Sequence, residues 1–284
     1  MDINKLIETE ILLRNSAPIS DFENLSAAAF HYILYDPYNE NSPVHFQNKI
    51  ENETLDKVSL FRVAEDFIRI IERDKFIKLT PLGALPKKIM VELYDKKYII
   101  DELIECGITK LWKEQDCIAI MSAKIVTEMA GITKKSNGKL TLTKQGLTFL
   151  KPANRQWFFE LFMATFADKF NWGYNDLYTE KPIGQTAWTF TIYLLGKFGK
   201  EYQSDSFYAE KYLKALPIFL NEFKTGELRT DLEQFTTCFS VRSFERFLEW
   251  FGIVEIQKEG TSFFDRNLKI RSTEILPKIF NIDL

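Results

Sequence analysis

Apolar residues follow helical spacing over most of the chain and strand-like runs at a few places where a turn follows. Within residues 55–72 the helical series is Leu60, Val63, Ala64, Phe67, Ile68 and Ile71. A second series, Met121, Ile125, Val126 and Met129, ends at Gly131, where a helix terminus favours a residue tolerating positive φ. Residues 132–135 and 139–143 then read as strands about Asn137-Gly138, a dipeptide suited to a type I′ turn because both its residues accept positive φ. Gln145, Leu147, Phe149 and Leu150 return to helical spacing. The resulting order is helix, glycine, strand, tight turn, strand, helix.

A similar order recurs near the C-terminal end. A helix over Phe244, Phe247, Leu248 and Phe251, expected to be capped by Ser240, ends at Gly252. Strands at 253–256 and 268–270 flank a turn region at 258–262, and Thr273 leads back to helix. Residues 70–83 carry the second half of the same pattern, a strand ending in Thr80 before a helix that runs from Lys87 to about Tyr94, with Pro86 as its first-turn proline. Elsewhere the N-terminal stretch predicts two amphipathic helices. One uses Ile3, Leu6, Ile7, Ile11 and Leu12; the other uses Leu25, Ala28, Ala29, Tyr32 and Ile33 behind a cap at Asp21 or Asn24. Residues 35–54 are polar, hold two prolines and read as a surface loop. Residues 155–170, 188–198 and 207–223 read as aromatic-rich helices, with a loop at 171–185.

Two features carry a resemblance. The helix, Gly, β-hairpin wing, helix order is similar to that of winged helix-turn-helix units, a fold used most often on DNA and also in protein contacts. Lys78-Leu79-Thr80-Pro81-Leu82-Gly83-Ala84-Leu85-Pro86, with Ala130-Gly131-Ile132 and Gly138-Lys139-Leu140, resembles a poorly characterised group of bacterial proteins bearing an LTxxGxLP element, and departs from it at Ala84, where Asn is expected. The resemblance spans roughly residues 60–150 and implies a fold without implying catalytic residues. The expected architecture is α+β and mainly helical, with two winged-helix-like units joined by an aromatic helical segment. Its boundaries are 1–71 (acidic helices), 72–151 (first wing unit), 152–235 (aromatic helices) and 236–284 (second wing unit).

Charge sharpens this picture. Of 284 residues, 27% are charged and the net charge is −3, yet 1–71 carries −6, 72–151 carries +5 and 152–284 carries −2. Only the first wing unit is basic. Lys124 on its helix, Lys134, Lys135 and Lys139 on its wing and Lys144 beyond are therefore the candidate phosphate contacts, with Arg242 and Arg246 as a second, weaker set. No arginine lies on the first presumed recognition helix, which disfavours base reading. Double-stranded DNA is the expected partner. The alternative is a protein–protein scaffold whose wing units are structural.

Trp172, Tyr174, Tyr178 and Trp188 form a candidate partner surface in and beside the 171–185 loop. Aromatic residues at helical spacing elsewhere read as core, with base stacking as the minor alternative. His31 and His45, with Asp36, Glu40, Glu51 and Glu53, match no metal-ligand spacing, and no Gly-rich phosphate loop, GxSxG or HExxH occurs. No enzyme activity, cofactor or metal is expected. Cys106, Cys117 and Cys238 lie far apart, consistent with free thiols serving as small buried filler in a cytoplasmic protein. No apolar run reaches membrane-spanning length, so no membrane partner is expected.

Overall fold

The computed structural model describes residues 3–174, 176–224, 229–259 and 267–284, without the side chains of Lys5 and Leu6. The fold is mixed α+β and mainly helical. In chain order it begins with α1 (Ile3–Ser16), α2 (Ala27–Tyr35), β1 (Val44–Phe46), α3 (Asn52–Leu55), α4 (Ser59–Asp74) and β2 (Ile77–Lys78). Then come α5 (Lys87–Tyr94), α6 (Glu102–Glu105), α7 (Ile118–Met129), β3 (Thr133–Ser136), β4 (Lys139–Leu142), α8 (Lys144–Phe149) and α9 (Arg155–Asp168). The remainder is α10 (Trp188–Phe198), β5 (Gln203–Ser204), α11 (Asp205–Ala215), α12 (Asp231–Phe239), β6 (Val254–Glu259), β7 (Asn267–Ser272), α13 (Leu276–Ile279) and β8 (Phe280–Ile282).

The chain divides into two compact units. The first comprises Met1–Gln47, Trp172–Glu249 and Ile253–Leu284; the second comprises Asn48–Asn171 with Trp250–Gly252. The second unit thus takes in residues 72–151 together with α4 and α9.

In the second unit the sheet order is β2-β4-β3, all antiparallel. Asn137 and Gly138 have φ of 50° and 69°, the two positive angles a type I′ turn requires. Helix α7 ends as its sequence dictates: Gly131 has φ 70°, its N–H donates to the Glu128 carbonyl at 3.0 Å, and the Ile132 N–H donates to the Thr127 carbonyl at 3.0 Å. That pair of bonds is the Schellman closure of a helix. Thr143 then fastens the far end of the hairpin. Its N–H donates to the Ile132 carbonyl at 3.0 Å, and its Oγ1 caps α8 by accepting from the Gly146 N–H at 3.0 Å. All six apolar positions of the α4 series are buried. They share the core with Phe158, Phe159, Phe162 and Phe166 of α9, and Phe251 sits in the same cluster.

The first unit repeats this topology. Helix α10, strand β5, helix α11, helix α12 and its continuation, β6 and β7 build an antiparallel sheet in the order β5-β7-β6. The closing threonine recurs as well: the Thr273 N–H donates to the Ile253 carbonyl at 2.9 Å.

Several sequence expectations are corrected. The strand near residue 77 is no separate partial unit, because β2 pairs with β4 (Ile77 opposite Leu140) and completes the first hairpin's sheet. Residues 35–54 are not all loop, since β1 pairs with β8 and Val44 is buried. Ser26, not Asp21 or Asn24, caps α2, its Oγ accepting from the Ala29 N–H at 3.1 Å. Ile3, Ile7, Ile11 and Leu12 of α1 are exposed. The expected 207–223 helix starts at Asp205 and stops at Ala215, followed by a 3-10 turn over Pro217–Glu222. Ser240 is not an N-cap: α12 is capped by Thr230, whose capping box with Glu233 is complete, and runs without a break into a π-helical stretch, Ser240–Leu248. Cys106 is exposed, while Cys117 and Cys238 are buried; all three are free thiols. The 258–262 turn lies outside the described residues from Gly260 onward, and no described helix is long and apolar enough to cross a membrane.

Candidate nucleic-acid interface

Strand alternation sorts the second unit's β2-β4-β3 sheet into two faces. Ile77, Leu140, Lys135, Thr133 and Leu142 share the face that carries the buried Ile77, Leu140 and Thr133. Lys78, Lys139 and Ser136 form one row of the outer face, with Thr141 and Lys134 beside them. Lys78, Lys134 and Lys139 are exposed, as is Lys144 in the first turn of α8. None of these four has an ion-pair partner among the described residues. Lys78 lies directly opposite Lys139, a like-charge pairing that destabilises a sheet unless an anion offsets it. Phe76 lies beside this row, and the Lys139 ammonium stands 4.2 Å from its ring centroid.

Lys135 points the other way. Its Nζ stands so close to Gly83 that a Cβ there would lie 2.2 Å from it. Together with Lys124 it lowers a Glu128 carboxyl pKa that desolvation otherwise raises above the usual range.

Lys124 is not a surface cation, contrary to its expected role. Its Nζ lies 3.0 and 3.2 Å from the Glu114 carboxylate oxygens and 3.0 Å from the Gly83 carbonyl. Both side chains are nearly sealed, at 10% and 5% exposure. Glu114 also accepts from the Leu85 N–H at 2.5 Å. The pair ties the 80–85 loop to the helix it crosses. Around it, Ala119, Ile120, Met121, Ser122, Ala123, Val126 and Thr127 are buried too, so of the polar side chains of α7 only the half-buried Glu128 reaches solvent.

The second basic set is corrected in the same way. Arg242 is fully buried in the π-helical stretch. It pairs with the carboxylate of Asp176 (Nη2 at 3.2 Å) and donates to the carbonyls of Lys181 at 2.6 Å and Thr179 at 2.8 Å. Arg246 is half-buried, its Nη1 has no hydrogen-bond partner among the described residues, and desolvation pulls its pKa below the ordinary arginine value. The β6–β7 hairpin of this unit carries compensated charge: Glu255 lies opposite Arg271 and is paired with it, and Lys269 pairs with Glu259 at 3.9 Å.

Of the four aromatic candidates, Trp172 and Trp188 are core residues, with ring centroids 4.6 and 5.8 Å from that of Phe247. Tyr174 is exposed and Tyr178 half-buried. Sequence reasoning missed Lys78 and Phe76, whose place on the wing depends on β2 pairing across sixty residues of chain. It also missed Trp112, which is exposed between two lysine ammonium groups. No group of three or more His, Cys, Asp or Glu among the described residues is placed to hold a metal ion. Comparison with known protein families, curated proteins and solved structures finds no match to this chain.

Proposed function

We propose that the second unit is a winged helix that contacts the phosphate backbone of nucleic acid through its wing without reading sequence. The order α4, β2, α5, α7, β3, β4 with sheet order β2-β4-β3 supports the winged-helix assignment, and the same order from α10 to β7 supports a duplicated one. One observation carries the functional reading: Lys78, Lys134 and Lys139 share an exposed sheet face and have no ion-pair partner among the described residues. Unpaired lysines on one face suit phosphate contact, which depends on charge and not on base identity. The burial of α7 removes the usual base-reading element, so affinity without specificity is expected.

The test is a polarisation titration of a random-sequence duplex at low and moderate salt. Binding should fall as a power of salt concentration, with a slope of about −0.9 per phosphate contacted. Replacing Lys134 and Lys139 by Glu should abolish it. A wild-type protein that binds neither duplex nor single-stranded DNA at low salt refutes the reading.

The second reading is a protein–protein scaffold, and the enclosure of α7 favours it, since a buried central helix serves packing. A partner bound through apolar contacts would be insensitive to salt.

A further inference from the structure

Trp112 is an exposed aromatic in a setting built for anions. The indole is 61% exposed, and the ammonium groups of Lys87 and Lys110 stand 5.8 and 5.3 Å from its ring centroid. Lys113, next in the chain, is exposed as well. Of the two nearest carboxylates in the chain, Glu114 is buried against Lys124, and Asp116 accepts from the N–H groups of Trp112 at 2.8 Å and Lys113 at 2.6 Å, a single negative charge against the three lysines. These two backbone bonds also fix the chain on either side of the indole, so the ring is held out by structure on its own surface. Trp157, the other largely exposed tryptophan of this unit, differs: it packs edge-on to Phe149 at 4.8 Å and has no lysine over its ring among the described residues.

A nucleobase stacks on an indole at van der Waals separation, so an ammonium over that face must swing aside on its flexible stem, which puts its charge beside the phosphates of the stacked nucleotide. In a duplex both base faces are already stacked, so only an unpaired base can use such a platform. Resting on the phosphate-contact reading above, we propose that Trp112 with Lys87, Lys110 and Lys113 is a stacking site for an unpaired nucleobase, and that the nucleic acid held by this unit is single-stranded. The wing lysines supply charge to any nucleic acid; Trp112 supplies the preference between forms.

The experiment compares a labelled 20-nucleotide oligo-dT with a random-sequence duplex, using the full chain and the variants Trp112→Ala and Trp112→Phe. Stacking contributes about 1–3 kcal/mol per base, so Trp112→Ala should weaken oligo-dT binding roughly 5- to 150-fold. Duplex affinity should change less than twofold, and Trp112→Phe should restore most of the oligo-dT affinity. A thermal melt of each variant checks folding, which an exposed side chain should leave intact. Equal losses on both nucleic acids, or none on either, overturn the inference; the second result leaves Trp112 as a protein-contact residue. Lys134→Glu/Lys139→Glu separates this from the parent reading. If that variant binds both nucleic acids like wild type, or wild type binds neither, the phosphate-contact reading itself fails.

Discussion

Lys124 offers the sharpest contrast between a lysine read as a surface cation and the same lysine enclosed by the fold. If it contacted phosphate from an exposed helix face, Lys124→Met would weaken nucleic-acid binding and leave stability within about 0.5 kcal/mol of wild type. The structure requires the reverse. Removing the ammonium leaves the Glu114 carboxylate at 5% exposure with the Leu85 N–H as its remaining hydrogen-bond partner among those described, and frees the Gly83 carbonyl. Breaking a buried pair from one side costs about 3–5 kcal/mol, because the surviving charge stays desolvated. Replacing both members, as in Lys124→Met with Glu114→Leu, should recover most of that loss or exceed wild type, because desolvation of two charges is removed with their attraction. The assay is urea unfolding by tryptophan fluorescence and far-UV circular dichroism, fitted with separate transitions for the two units if they do not coincide. A single variant within 0.5 kcal/mol of wild type, with weaker binding to duplex, would refute the enclosed-pair argument and restore the surface role.

Two further predictions test other links in the same unit. Glu128 has its carboxyl pKa raised in the fold, chiefly by desolvation. Its charged form therefore destabilises the native state as pH rises from the ordinary glutamate value of about 4.3 through the raised one. Glu128→Gln should accordingly stabilise at neutral pH, with the gain gone below about pH 4; a pH-independent effect in thermal melts would contradict this. Gly138 and Gly146 separate conformation from space. Gly138 has φ 69° with open space at the Cβ position, so Gly138→Ala should cost about 1–2 kcal/mol from left-handed strain alone. At Gly146 a Cβ would lie 2.2 Å from the Ile132 carbonyl oxygen, so Gly146→Ala should cost about 3 kcal/mol or more and loosen the Thr143 cap. Equal costs in urea unfolding would undo the distinction.

What was legible in the sequence was what local chemistry decides. Gly131 and Asn137-Gly138 announced the helix end and the hairpin because few residue types accept their φ angles, and the α4 series announced its buried face by spacing alone. What was not legible depends on distant pairing or on counting neighbours. Strand β2 is two residues long, too short for periodicity, and is defined by its partner β4. Lys124 and Glu114 are ten residues apart, a separation at which helical pairing rules say nothing, so the lysine looked free. Trp172 and Trp188 flank a polar loop in sequence yet meet on Phe247, a residue distant in the chain that no local rule pairs with them. Wing charge was legible in kind, while its extension to Lys78 and Phe76 waited on the sheet.

The same topology occurs twice in this chain, and the comparison bears on what each copy could do. In both, the helix before the closing hairpin is enclosed: α7 buries Ser122, Lys124 and Thr127, and the π-helical stretch buries Ser240, Arg242 and Ser243. The charged residues at these positions, Lys124 and Arg242, therefore serve internal contacts in both copies, and exposed charge lies on the hairpins. There the copies diverge. One hairpin places Lys78 across from Lys139 with Lys134 beside them and no carboxylate on that face; the other sets Arg271 against Glu255 and Lys269 near Glu259. A sheet gains nothing from facing lysines, whereas crossed opposite charges stabilise it. The proposed anionic ligand would offset the like charges of the first hairpin, whereas the second already carries its own countercharges. On that ground the proposed nucleic-acid contact belongs to the second unit, and charge reversal at Arg271 or Lys269 should leave nucleic-acid affinity unchanged while reversal at Lys134 and Lys139 removes it.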